Sequence, residues 1–285
     1  MSTENLMTAP VYIYEIIQET ELIVQNKKAI DTSTAIIWHI TPLQTDHFTA
    51  VSIEVKQQEV KKIASSYQSM VSFIQQLNKI TDKIDLQLGQ YQNITQVINS
   101  HEIWDKWEFA KDALLSNAPN PNDLKAMING GDNDYKDATL LIKNTPLYKI
   151  FFPPIIGEKQ AIFKIRPLNV FGDLPSQLYV GQKVDYEVFE EVTFANEHEL
   201  KFNHQGKIMP DKASAFKEPY EKNYQELLGK QFDYKWDYLA SYKFDKPKNT
   251  LLQCEAVITE QTCPALWHKN KFTITLKSND QKSIL

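Results

Sequence analysis

The sequence has very little arginine. Arg166 is the one arginine among 31 basic residues, and the formal net charge at pH 7 is −5. Arginine makes the bidentate contacts by which proteins recognise phosphate and guanine. We therefore predict that the chain does not bind nucleic acid. Glycine is also scarce, with eight residues, and the sequence contains neither a phosphate-binding loop nor a dinucleotide-binding glycine motif.

Cysteine and long apolar runs are scarce as well. Two cysteines, Cys254 and Cys263, do not make a disulfide framework. No run of about 18 apolar residues occurs, so no membrane span is predicted. Residues 1–10 are polar and do not resemble a secretory signal. Together these absences predict a soluble, cytoplasmic protein.

The clearest secondary-structure pattern in the sequence lies between residues 84 and 115. Residues 84–88 alternate between apolar and polar, which predicts a half-buried strand, and a second extended segment at 91–97 completes a hairpin. Asn99 and Glu102 have the spacing of a helix cap. An apolar stripe at helical spacing follows, made of Ile103, Trp104, Trp107, Ala110, Leu114 and Leu115.

The segments before this unit predict a β-meander followed by a helix. Strands are expected at residues 11–24, 34–41 and 48–55, with a turn at 31–33. From about residue 59 to 79 the apolar spacing changes to three and four, which predicts an amphipathic helix of about six turns.

The middle of the chain predicts short elements. A helix is expected at residues 123–129, ended by Gly130 and Gly131, and another at 134–143. A strand is expected at 148–152, followed by mostly irregular chain to residue 182. We therefore predict an N-terminal domain at 1–154, which includes the strand–turn–strand–helix unit, and a C-terminal antiparallel β domain at 155–285. One continuous fold is the alternative.

The C-terminal part contains the longest alternating segment. One face of it carries Phe232, Tyr234, Trp236, Tyr238, Ala240, Tyr242 and Phe244. Such a face either belongs to the core or forms an aromatic surface that accepts a partner or an apolar ligand. From the second interpretation we predict a binding surface made of Tyr234, Trp236, Tyr238 and Tyr242.

These elements predict an α+β fold. It has extended, curved antiparallel sheets in the N- and C-terminal parts, with helices packed on one face, and is half-barrel-like. A strongly curved sheet with a long helix is similar, in element order, to the half-barrels of lipoprotein-carrier-like proteins.

Three histidine groups are candidates for chemistry. His198 and His204, with Glu197 and Glu199 nearby, have ligand chemistry for zinc. However, six residues of extended strand separate the two histidines by about 20 Å, so no metal site is predicted.

The other two groups are pairs. His101 and Asp105 lie one helical turn apart, which is typical of a solvated helix face. Cys263 and His268 admit a thiol–imidazole pair but also fit a short loop. No catalytic residue and no cofactor are predicted.

The function that these observations favour is binding rather than catalysis. We predict a non-enzymatic protein-binding module that acts as an adaptor, a chaperone or a subunit of a larger bacterial assembly, with another protein as its partner. One alternative is a carrier that holds an apolar small molecule between sheet and helix. A second is a hydrolase whose site is dispersed along the sequence.

Overall fold

The computed structural model describes residues 9–63, 75–90, 92–117, 124–154 and 165–280. Within these ranges eleven strands form one open antiparallel sheet. The strands are β1 (Val11–Val24), β2 (Lys27–Leu43), β3 (Thr49–Lys62), β4 (Lys83–Leu88), β5 (Ile94–Val97), β6 (Ile165–Pro175), β7 (Lys183–Ala195), β8 (Glu199–Ile208), β9 (Lys235–Asp245), β10 (Thr250–Cys263) and β11 (Leu266–Asp280).

The strand order is β5-β4-β3-β2-β1-β11-β10-β9-β8-β7-β6. Consecutive strands pair with each other except β5 and β6, which form the two edges, and the first and last strands pair in the middle of the sheet. Their ladder runs from Val11 opposite Asp280 to Val24 opposite Leu266. The predicted α+β fold with a curved, half-barrel-like antiparallel sheet is confirmed. Strands from both sides of the predicted boundary share this sheet, and the division into two domains stays a prediction.

Helices cover one face of the sheet, which we call the inner face. In the N-terminal half they are α1 (Ser100–Asn117), α2 (Lys125–Lys136), α3 (Ala138–Asn144) and α4 (Pro146–Phe151). Tyr148 and Phe151 of α4 pack on inner-face residues, with ring centroids 5.0 Å from Trp38 and 4.8 Å from Tyr14. In the C-terminal half the cover is a 3-10 turn (Ala213–Phe216), α5 (Lys217–Asn223) and α6 (Gln225–Leu228).

The strand–turn–strand–helix unit is confirmed as β4, β5 and α1. The Asn99 side chain, however, bonds to β4. Its Oδ1 accepts from the Asp85 N–H, and its Nδ2 donates to the Lys83 carbonyl. Trp107 is buried, and its Nε1–H donates to Asp132 at 2.8 Å.

The predicted helix end at Gly130 and Gly131 is wrong, since α2 continues through both residues to Lys136. A Cβ placed on Gly131 would lie 2.3 Å from the Trp107 ring. The glycine therefore lets α2 approach the indole of α1 closely, and it does not end the helix. The break comes at Asp137, whose side chain accepts from the Leu140 N–H and begins α3.

Residues 148–152 do not form the predicted strand. Four of them belong to α4, which begins with Pro146 at its first position. A short apolar run is compatible with both a strand and a buried helix. Here the run forms a helix, and Tyr148 within it is buried against Trp38.

Two other boundaries differ from the prediction. The first hairpin turns at Gln25 and Asn26, both with positive φ, and residues 31–33 lie inside β2. The predicted irregular region contains β6.

The predicted long helix at 59–79 is tested only at its ends. Residues 59–62 belong to β3, residues 75–78 are helical, and residues 64–74 lie outside the described residues.

Candidate functional site

The four residues predicted as a binding surface are all on the inner face. Tyr234, Trp236, Tyr238 and Tyr242 have relative exposures of 7%, 3%, 7% and 2%. Trp236 stacks on Tyr186 with centroids 4.5 Å apart, and Tyr234 stacks on Phe216 at 4.0 Å. Strand β9 also pairs on both sides, with β8 and β10, so it offers no free edge. Their role in binding stays a prediction.

Two of these tyrosines share a hydrogen bond over an alanine. The hydroxyl oxygens of Tyr238 and Tyr242 lie 2.5 Å apart, although four residues of strand separate their Cα atoms by about 13 Å. Both rings must therefore lean along β9 over Ala240, which has no side chain beyond Cβ. Burial raises the pKa of both phenols, so the bond joins two neutral hydroxyls.

A buried carboxylate, Glu260, lies on the neighbouring strand β10 with 1% exposure. It accepts from the Ser176 hydroxyl, from the Gln177 N–H at 2.7 Å and from the Tyr234 hydroxyl at 2.9 Å. Burial raises the pKa of Glu260, and these hydrogen bonds oppose that rise. The carboxylate thus joins the turn after β6 to the sheet.

The Ser176 hydroxyl is fully used in this arrangement. It donates to Glu260, and its oxygen accepts from the N–H groups of Leu178 and Tyr179 at 3.2 and 2.9 Å. A serine nucleophile needs a base and a free oxygen lone pair directed at substrate. Ser176 and Glu260 therefore have the composition of a serine–carboxylate pair, but their hydrogen bonds fix the turn after β6 to the sheet. We call this pair and its hydrogen bonds the clamp.

Cys263 and His268 lie near this clamp and are both buried. His268 faces Glu260 across the β10–β11 ladder, and Cys263 faces Leu266. Burial lowers the pKa of His268 to about 4, so the imidazole is neutral at pH 7.

Some buried polar atoms of this region have no hydrogen bond. In the part of the chain that the structure describes, Thr262 Oγ1, Tyr179 Oη and His268 Nδ1 are among them. Burial raises the pKa of Tyr179, and the nearby Thr262 hydroxyl opposes that rise. The two hydroxyls are therefore neighbours, but their geometry falls short of a hydrogen bond.

The two histidines considered for zinc, His198 and His204, have different surroundings in the structure. His204 is buried and lies 3.2 Å from Glu190, while His198 is largely exposed beside Glu197. Arg166, the one arginine, stands opposite Glu190 in the β6–β7 register. Among the described residues, no group of three or more histidine, cysteine, aspartate or glutamate side chains could hold a metal ion.

The His101–Asp105 pair is confirmed as a contact of 3.0 Å, and both side chains are mostly in solvent. This arrangement is that of a solvated helix face.

The opposite, outer face of the same strands carries an apolar row. Val257, Leu239 and Phe189 lie at matching register positions on β10, β9 and β7, with Gln205 of β8 between the last two. We call these four residues the outer row. Leu239 is 53% exposed.

The sequence did contain a signal for the outer row, and we missed it. Leu239 is apolar on the parity of β9 that otherwise carries Asp237, Ser241 and Lys243. Conversely, Glu190 and Glu260 are charged residues on apolar parities of their strands. A residue that breaks the alternation of its strand thus marked both the outer row and the buried carboxylates.

Comparisons with known proteins add little to this geometry. No family model and no curated protein matches the chain. One similar solved structure is a domain described as an outer membrane lipoprotein-sorting protein from Vibrio parahaemolyticus, with 8% identity over 95% of this chain and 86% of that one. The TM-score is 0.16, too low to support an argument. Of the helices that the structure describes, none is long and apolar enough to cross a membrane.

Proposed function

We propose that this protein works by binding another protein and catalyses no reaction. It would act in the cytoplasm as an adaptor, a chaperone or a subunit of a larger assembly. The observation that carries the proposal is the outer row, in which Leu239 is 53% exposed, adjoins Val257 and is separated from Phe189 by Gln205. Apolar side chains grouped on the solvent face of a sheet are typical of contact surfaces between proteins.

The buried polar groups support binding over catalysis. Glu260 accepts three hydrogen bonds from within the protein, and the Ser176 hydroxyl is engaged on both its proton and its oxygen. These groups hold a turn in place and are not directed at an open cleft.

The inner-face rings favour a partner on the outer face over an apolar ligand inside. Tyr234 and Trp236 contact Phe216 and Tyr186 at centroid distances of 4.0 and 4.5 Å. Their faces are occupied by other rings of the same chain. A carrier would have to separate these contacts to present the rings to a ligand.

Both sheet edges are protected, which favours binding through a face. Strand β5 has four residues, and its Val97 N–H donates to Thr139 of α3 at 3.0 Å. Strand β6, the other edge, contains Pro167 and Pro175. Short strands and prolines prevent edge-to-edge addition of another strand.

Site-specific photo-cross-linking in the native host tests the proposal. A benzophenone amino acid at position 239 should give a discrete adduct with another protein. Leu140 of α3 is the matched control, because it is a leucine of similar exposure, 48%, away from the outer row. Equal adducts at both positions, or none at 239, would overturn the proposal.

A further inference from the structure

Charged residues flank the outer row on both sides, and most are acidic. The row on one side contains Glu255, Ser241, Asn203 and Glu191, and the row on the other contains Thr259, Asp237, Lys207 and Glu187. The two flanking rows thus carry four carboxylates and one lysine. Asp237 and Glu255, the carboxylates nearest to Leu239 on its two sides, are exposed.

On β11, Lys271 stands opposite Val257, and Lys269 stands opposite Thr259 at the end of one flanking row. Two lysines close to the outer row are engaged with carboxylates outside it. Lys271 lies 3.3 Å from Glu19, and Lys243 lies 2.7 Å from Glu199. Their charge is therefore directed away from the flanking carboxylates. The outer row is therefore a mostly apolar strip whose flanking rows carry more carboxylates than lysines.

The strip also has a defined size. Val257 and Phe189 are three strand spacings apart, which is about 14 Å. Each flanking row lies two residues along the strands, about 7 Å from the apolar row. An amphipathic helix of two to three turns covers this length, and its flanking side chains reach this width.

We propose, resting on the proposed function, that the partner docks a basic amphipathic helix on the outer row. Its apolar stripe covers Leu239, and its lysine or arginine side chains meet Asp237 and Glu255. A second copy of this chain is less suited, because it would present the same excess of carboxylates to the flanking rows.

Cross-linking in charge-reversed backgrounds tests this inference. The benzophenone stays at position 239, and Asp237→Lys with Glu255→Lys is compared with Glu102→Lys and Asp105→Lys, two exposed acidic residues of α1. Both doubles change the net charge equally. We expect the adduct to fall about tenfold in the first background only. Unchanged yield in both backgrounds would overturn the basic partner but leave partner binding intact. No adduct in any background would overturn the proposed function itself.

A purified probe gives a second measurement. A helical peptide of leucine and lysine should bind the wild-type protein at least about tenfold more tightly than a leucine–glutamate peptide of the same pattern. The Asp237→Lys, Glu255→Lys protein should lose this preference, whereas the α1 double should keep it. Equal loss in the two doubles would show that only net charge matters and would overturn the site. Thermal unfolding of each variant verifies that it is folded.

Discussion

The two faces of the C-terminal strands differ in how their side chains find partners. On the inner face of β9 and β10 the rings stack on one another, and Glu260 accepts three hydrogen bonds. On the outer face of the same strands Leu239 stands half in solvent among exposed carboxylates. The inner face therefore stabilises the fold, and the outer face contributes little to stability and is available for recognition.

The largest expected difference between the faces comes from Trp236 and Leu239. Trp236→Ala removes a buried indole that stacks on Tyr186, and it should lower the free energy of unfolding by about 3–5 kcal/mol. Leu239→Ala on the outer face should change it by less than about 0.5 kcal/mol. Urea denaturation of both variants measures this. Similar losses at the two positions would remove the distinction between the faces.

Acid should weaken the inner face through His268. Burial in the folded protein lowers the pKa of His268 to about 4, below the ordinary 6.5. Between these two pH values the unfolded chain binds a proton at His268 and the folded protein does not. The contribution of neutral His268 to the free energy of unfolding is therefore fully present above pH 6.5. It falls by about 3 kcal/mol in all as the pH drops towards 4.

The measurement is the free energy of unfolding as a function of pH for the wild type and for His268→Leu. The difference between the two curves isolates this histidine from Glu260, whose raised pKa acts in the opposite direction. His101→Gln, at a largely exposed ring, is the control for replacing a histidine. A His268→Leu curve parallel to the wild type would contradict the assignment.

A matched serine pair sharpens the comparison further. Ser176→Ala leaves the N–H groups of Leu178 and Tyr179 without their acceptor and deprives Glu260 of a donor. We expect a loss of about 2–3 kcal/mol. Ser241→Ala, which removes an exposed hydrogen bond to Asn203 on the outer face, should cost less than about 0.5 kcal/mol. Calorimetric unfolding of both variants is the measurement, and a small loss at Ser176 would argue against the clamp.

The smallest effect should have the opposite sign. Thr262 Oγ1 is buried and has no hydrogen bond within the described chain, so only the nearby Tyr179 hydroxyl compensates for its loss of water. Thr262→Val keeps the shape and should raise the free energy of unfolding by about 1 kcal/mol. Thr250→Val, at another buried threonine whose hydroxyl donates to the Lys248 carbonyl, should lower it. A loss at Thr262 would mean that its hydroxyl has a partner in solution.

Much of the fold was predictable because strand alternation is local. The parity of Tyr234 to Phe244 correctly grouped these residues on one face of a strand but left open whether that face is core or surface. The stripe of α1 correctly predicted that Trp107 packs against the rest of the protein. What the sequence could not specify depended on distant contacts. Gly130 and Gly131 form a pattern typical of a helix end, yet Gly131 lies inside α2, where the absence of a side chain leaves room for Trp107.

The candidate site was less predictable for the same reason. The ladder was interpreted as a surface because its aromatic residues are large and regular, but only the covering turn at 213–216 shows that Phe216 occupies the Tyr234 face. Leu239 was visible as a break in alternation. Val257 and Phe189 come from other strands, and only the sheet register places them in the same row as Leu239.

The pairing of β1 with β11 has a consequence for synthesis. The side chains of Thr20 and Asn270 are 250 positions apart in the chain, yet their hydrogen bond lies in the middle of the sheet. While the ribosome adds the intervening residues, β1 presents a long unsatisfied edge in the nascent chain. Contacts this distant in sequence also slow folding. The newly made protein should therefore depend on protection from aggregation until its last strand emerges.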